Sequence, residues 1–241
     1  FISQYFYPEQ FSNNSIATEL VERGHEVNAV SAVPNYPAGV FFESYSNSSR
    51  RYEIWNGIKI YRAWTVPRGS SSGKLIINYL VYPISATLVI MRTKISRSDV
   101  SFTSMPSPLT QSIASIATKK FYKVPAVYWV QDIWPDSALY MLGIKNRIVI
   151  KILEAFCGWM YRQADILLIQ SDAFRPQMER FGVDPSRIRL LPNTAPHIYR
   201  PLIKTDVNKQ VSDLIVSRCF NVMFAGNIGE AQDIDTIIAA A

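Results

Sequence analysis

Short, strongly apolar runs alternate along this chain with helical patterns, and each run stops at a loop of polar and aromatic residues. That alternation points to an α/β fold, a parallel sheet covered by helices. Strands are expected at Phe1–Gln4, Val27–Val33, Val100–Ser104, Ala126–Val130, Ile166–Ile169 and Ile188–Leu191. The helices between them are expected at Ser15–Arg23, Lys74–Arg97, Leu109–Lys120, Asn146–Gln163 and Asp172–Phe181. Gly24 follows Arg23 as a helix stop. Asn56-Gly57 joins two alternating runs, Tyr52–Trp55 and Ile58–Trp64, as a hairpin expected to form an antiparallel edge.

Buried parallel strands end where polar residues can meet a ligand, so the strand-end loops should line one crevice. The most telling is the stretch Trp129 to Ser137, where an apolar strand runs straight into Gln131, Asp132, Trp134 and Asp136. The two carboxylates offer acceptors for sugar hydroxyls, Gln131 offers donor and acceptor, and the indole offers a flat apolar face. The plainer alternative is that Asp132 or Ser137 caps the next helix and Trp134 is core. Other strand ends carry Tyr7 and Glu9, then Asn35 and Tyr36, then Ser104 to Pro108, then Ser171, and last Asn193. Together they suit a carbohydrate, with aromatic rings against sugar C–H surfaces and carboxylates on hydroxyls.

Composition narrows the partners. Hydrophobic residues make up 48% and charged residues 18%, which excludes wholesale disorder. The net charge of +6 favours an anionic partner such as a phosphate, a nucleotide or an anionic membrane face. The basic residues are scattered, which disfavours nucleic acid. Cys157 and Cys219 lack metal-ligand spacing and fit a reduced cytosolic protein, and two histidines, His25 and His197, make no metal site. The apolar stretch Leu75–Met91 is slightly short for a membrane span and holds Pro83. It is either a buried helix or a partly exposed one seated on an anionic bilayer, with Lys74, Arg92, Lys94 and Arg97 as anchors.

Several motifs carry a family resemblance: Gln4 to Phe11 (QYFYPEQF), the Glu-Arg-Gly-His-Glu-Val turn, Pro34 to Gly39 (PNYPAG), Trp129 to Asp136 (WVQDIWPD) and Phe224 to Asp233 (FAGNIGEAQD). They resemble family 4 glycosyltransferases, nearest the branch of WbuB-like L-fucosamine transferases of bacterial O-antigen and capsule synthesis. The resemblance implies a GT-B fold of two Rossmann-like domains. Residues 1–199 would form the acceptor domain, 200–219 the linker, and 220–241 the truncated start of the donor domain. It also implies retaining, metal-independent transfer of a sugar, an N-acetylated amino sugar, from a UDP-sugar to a lipid-linked glycan. No cofactor is implied, and the enzyme would sit on the inner face of the cell membrane.

On that reading Asp132 and Gln131 are the catalytic candidates. Tyr7, Glu9, Asn14, Asn35, Tyr36, Trp134, Asp136, Ser171 and Asn193 would bind substrate, and Gly226, Asn227, Gly229 and Glu230 the nucleotide phosphates. Three departures stand out. Phe11-Ser12-Asn13-Asn14 replaces the glycine pair many members have near the donor phosphates, and Gln131 replaces a histidine. The Glu-x7-Glu region with its basic pair would lie beyond Ala241, so these 241 residues alone are expected not to turn over. The alternative is a non-catalytic sugar- or lipid-binding module on the same fold. A dinucleotide oxidoreductase is disfavoured because no G-x-G-x-x-G follows the first strand.

Overall fold

The computed structural model describes residues 1–69, 71–193, 195, 220–226 and 232–240. The chain divides into two units, Phe1–Pro196 and His197–Ala241. In the first unit the strands are β1 (Asn28–Ala32), β2 (Tyr52–Trp55), β3 (Ile58–Ala63), β4 (Ser101–Met105), β5 (Ala126–Val130), β6 (Ile166–Ile169) and β7 (Ile188–Leu190). The helices are α1 (Ser12–Glu22), α2 (Ser72–Arg92), α3 (Ser112–Tyr122), α4 (Asp136–Leu142), α5 (Arg147–Tyr161) and α6 (Arg175–Arg180).

One sheet group runs β1-β3-β2 and the other β4-β5-β6-β7. All neighbours pair in parallel except the β2–β3 hairpin, whose antiparallel strand β2 is the outer edge. The expected strand at Phe1–Gln4 is a single bridging residue. Ile2 pairs in parallel with Val30 on one side and Thr103 on the other and so joins the two groups. It is short because the Gln4 N–H turns away to the Gln111 side chain, at 2.8 Å. Chain order reverses at Ile2, which makes this the switch point where an open α/β sheet forms its crevice.

Apolar alternation fixes the helices on the sheet. Phe6, Ala17, Val27, Ala29, Ile58 and Ile60 form the core under α1. Val30, Ala32, Ala63, Tyr82, Ala86 and Ile90 form the core under α2, with Ala114 of α3. A third core joins β5 and β6 to α5 through Tyr128, Val130, Leu167, Ile169, Cys157, Met160 and Tyr161. Helix α3 packs against α2 on one side and α5 on the other.

Several boundaries differ from expectation for visible reasons. Helix α2 stops at Arg92 because Thr93 is extended and its hydroxyl donates to the Val89 carbonyl, at 2.9 Å; a separate 3-10 turn covers Lys94–Arg97. The third and sixth helices open with 3-10 turns at Leu109–Gln111 and Asp172–Phe174. Helix α4 was given no range in the sequence, only a cap candidate in Asp132 or Ser137, because seven residues are too few for a helical period to register. Gly24 does end α1, with its N–H on Val21 and that of His25 on Leu20. In the second unit, residues 220–225 carry no ladder. Helix α7 (Ile234–Ala240) follows. The expected linker, 200–219, lies outside the described residues.

Pro83 does not end α2. Having no N–H, it leaves the Tyr79 carbonyl without its helical donor, and the Thr110 hydroxyl fills that place at 2.7 Å. The outer face of α2 exposes Ile76, Ile77, Leu80, Ile84, Leu88 and Met91. By length and hydropathy the helix is able to cross a bilayer, but Tyr82, Ala86 and Ile90 fasten its inner face to the sheet.

Candidate active site

Loops at the carboxyl ends of the strands meet around the switch point, and Glu9 ties two of them together. Its Oε1 accepts the N–H groups of Asn35 and Tyr36, both at 2.8 Å, and its Oε2 accepts Phe6 N–H at 3.2 Å. Glu9 is 2% exposed, and burial pushes its carboxyl up to about 7 against the pull of these N–H groups and Arg62. Asn14 bonds Tyr7 N–H and the Glu9 carbonyl, while Asn13 bonds Ser3 and Tyr5. Asn35 accepts Arg68 N–H at 3.0 Å and donates to Val33. Glu9, Asn14 and Asn35, expected to meet sugar directly, are therefore engaged in shaping the loops. The two asparagines that stand in place of the glycine pair likewise hold backbone groups rather than presenting free donors.

The aromatic residues divide in the same way. Tyr7 stacks on Trp55 at 4.4 Å and is part of the wall. Tyr36 meets Tyr5 and Phe11, and the Arg68 guanidinium lies over its ring at 5.6 Å. The Tyr5 hydroxyl is buried without a hydrogen-bond partner, and burial raises its pKa further from neutrality. Arg68 belongs to the loop after β3, the one strand-end loop that the sequence reading left out. Its neighbour Gly69 meets Gly39 backbone to backbone, N–H to carbonyl at 3.0 Å. A Cβ on Gly39 would lie 2.9 Å from the Gly69 oxygen, so the contact requires glycine.

The fourth loop carries the candidate chemistry. Gln131 Nε2 reaches Ser12 Oγ at the start of α1, at 3.3 Å, and its carbonyl accepts Gln170 Nε2 at 2.7 Å. Asn193 Nδ2 donates to Gln170 Oε1 at 2.5 Å, so a file of polar side chains runs along the sheet's carboxyl edge. Asp132 is partly buried and accepts the Ser137 hydroxyl; burial raises its carboxyl above the usual aspartate range. Asp136 is exposed at the start of α4, with Gln177 at 3.4 Å. Trp134 packs against the third core and meets Tyr79 of α2 edge to face at 6.0 Å, leaving only part of its ring open. The plainer alternative for this loop is met in part: Trp134 fills core space, and Ser137, inside α4, donates back to Asp132.

Beneath the loops, Gln4 Nε2 donates to Asn78 of α2 at 2.5 Å, and Asn78 donates to the Val66 carbonyl at 2.6 Å. Ser171 caps the Asp172–Phe174 turn and is exposed. Gly226 is exposed in the second unit; Asn227, Gly229 and Glu230 lie outside the described residues. Among the described residues no cluster of three His, Cys, Asp or Glu side chains is arranged to hold a metal.

Comparison with known proteins agrees with this architecture. The Anabaena HepE structure in complex with UDP and glucose superposes with a TM-score of 0.53 at 12% identity, covering 88% of this chain and 48% of HepE. The Arabidopsis thaliana UGT89C1 structure with UDP-L-rhamnose gives 0.50 at 14% identity, covering 92% of this chain and 53% of that one. The chain thus spans about half the length of these solved structures. No curated protein sequence matches it. The glycosyl transferase 4-like domain family matches residues 12–194, well over half of the chain, and this chain belongs to that family.

Proposed function

We propose that this chain forms the acceptor-side half of a retaining, metal-independent GT-B glycosyltransferase. The transferred group is a sugar, an N-acetylated amino sugar by resemblance to the L-fucosamine transferase branch. The donor is a UDP-sugar and the acceptor a lipid-linked glycan of bacterial surface polysaccharide synthesis. The observation that carries this reading is Asp132, a partly buried carboxyl with a raised pKa, set beside Gln131 where the strand-end loops converge. In this reading Asp132 orients a substrate hydroxyl and accepts its hydrogen bond, and the Gln131 amide holds a second hydroxyl. Tyr36 with Arg68 forms the opposite wall. HepE holds UDP and glucose, and the Arabidopsis protein holds UDP-L-rhamnose, which supports a UDP-linked donor here.

The exposed apolar face of α2, with Lys74 and Arg92 exposed at its ends, suits reversible attachment to the anionic inner face of the cell membrane. The loops contacted by the inner face of α2 would then lie close to a lipid-linked acceptor. The test is turnover of a panel of UDP-sugars by the full-length protein with a diphospholipid-linked acceptor. Saturable sugar binding with no turnover on any acceptor would replace this reading by a non-catalytic module. The replacement of a titratable histidine by Gln131 is the one observation that favours that alternative.

A further inference from the structure

Helix α5 presents a second apolar stripe on the side of the sheet that carries α2. Its inner residues Cys157, Met160 and Tyr161 are buried in the β5–β6 core. On its outer face Ile148, Ile152, Phe156 and Trp159 are 71%, 63%, 41% and 42% exposed. Steps of four, four and three place them on one stripe, and Phe156 stacks on Trp159 at 6.0 Å. Lys145, Arg147 and Lys151 are exposed around it. The nearby Glu154 is taken by Arg180 at 2.6 Å, which leaves the face positive.

Because α3 packs between α2 and α5, the two stripes flank one helix on a common side. We propose that α5 is a second bilayer contact, with Trp159 and Phe156 at the level of the lipid headgroups and the three cations on anionic phosphates. The inference rests on the attachment of α2 to the membrane. A second copy of the chain is a poorer occupant, since a two-fold contact would oppose the same cations. A protein groove is also poorer, because it would have to take up two separate stripes with α3 between them, whereas a fluid bilayer accommodates both directly. Two feet, rather than one, fix how the crevice is turned relative to the membrane.

The test is co-sedimentation of the full-length protein with vesicles of phosphatidylglycerol and phosphatidylcholine, together with tryptophan fluorescence. Ile152→Glu should weaken partitioning about tenfold or more, given the free energy of burying one such side chain. Its melting temperature and its turnover of a water-soluble acceptor should stay unchanged. Trp159→Phe, which keeps a ring, should remove the vesicle-induced blue shift of the emission. If Ile152→Glu partitions like the parent while Ile84→Glu in α2 does not, α5 is no contact and the α2 reading stands. If the parent binds no vesicles at low salt, the α2 reading falls as well. Two further results overturn the proposal: a dimer dissociated by Ile152→Glu assigns the face to a second copy, and a lowered melting temperature assigns it to the protein's own remaining chain.

Discussion

At the residue scale, the carboxyls of Asp132 and Glu9 behave differently on substitution. Asp132→Asn keeps an acceptor for the Ser137 hydroxyl and removes a charge that burial disfavours. The melting temperature at neutral pH should therefore not fall, while turnover by the full-length enzyme should drop about a hundredfold, the scale of lost substrate positioning. Normal kinetics with a lowered melting temperature would reduce Asp132 to an anchor for α4. Glu9 tests linkage. Its folded pKa near 7 lies above the ordinary value of 4.5, so the folded state binds the proton more tightly than the unfolded state. The stability this contributes is complete below about 4.5 and is lost as pH rises through about 7. Thermal melts at pH 5 and 7.5 should show that decline, and Glu9→Gln should flatten it while keeping an acceptor for Asn35 and Tyr36. An unchanged slope in the variant would assign the decline to other groups.

At the element scale, one polar tie on α2 and one in the β2–β3 hairpin can each be tested by substitution. Thr110→Val should leave the Tyr79 carbonyl buried without a donor, at a cost of about 1–3 kcal/mol. Pro83→Ala supplies the missing helical N–H, so the two substitutions together should cost less than their sum. Additive losses in denaturant melts would show that Thr110 acts elsewhere. In the hairpin, Arg62 is fully buried and bonds Glu53, the Ala32 carbonyl and the Tyr7 carbonyl. Arg62→Met leaves the Glu53 carboxylate with the Tyr45 hydroxyl but without its cation, and should destabilise the fold by about 3–5 kcal/mol. The hairpin itself was legible from Asn56-Gly57, whose residues take the positive φ values of 47° and 77° that such a turn needs. The Arg62–Glu53 tie was not, because nothing local in sequence marks a cation that turns into the sheet.

On the scale of the whole molecule, strand positions and helix faces follow from apolar periodicity, which is why β5 and β6 fall where expected. The division of labour within the crevice does not. Glu9, Asn14 and Asn35 have the same chemistry whether they face sugar or a neighbouring loop, and only packing decides. Arg68 was overlooked because it follows the hairpin rather than a strand recognised as part of the parallel set. The inner face of α2 shows what such packing decides. Asn78 bonds Gln4, the Tyr79 carbonyl takes Thr110, the Tyr82 hydroxyl bonds the Val30 carbonyl and Ser85 bonds the Trp64 carbonyl. These ties act as index pins. A slip of one residue would turn the helix by about 100° and break every one of them together. The azimuth of the apolar stripe is therefore set by polar groups on the opposite side of the helix, so a lost pin would misdirect the outer surface without altering a single residue on it.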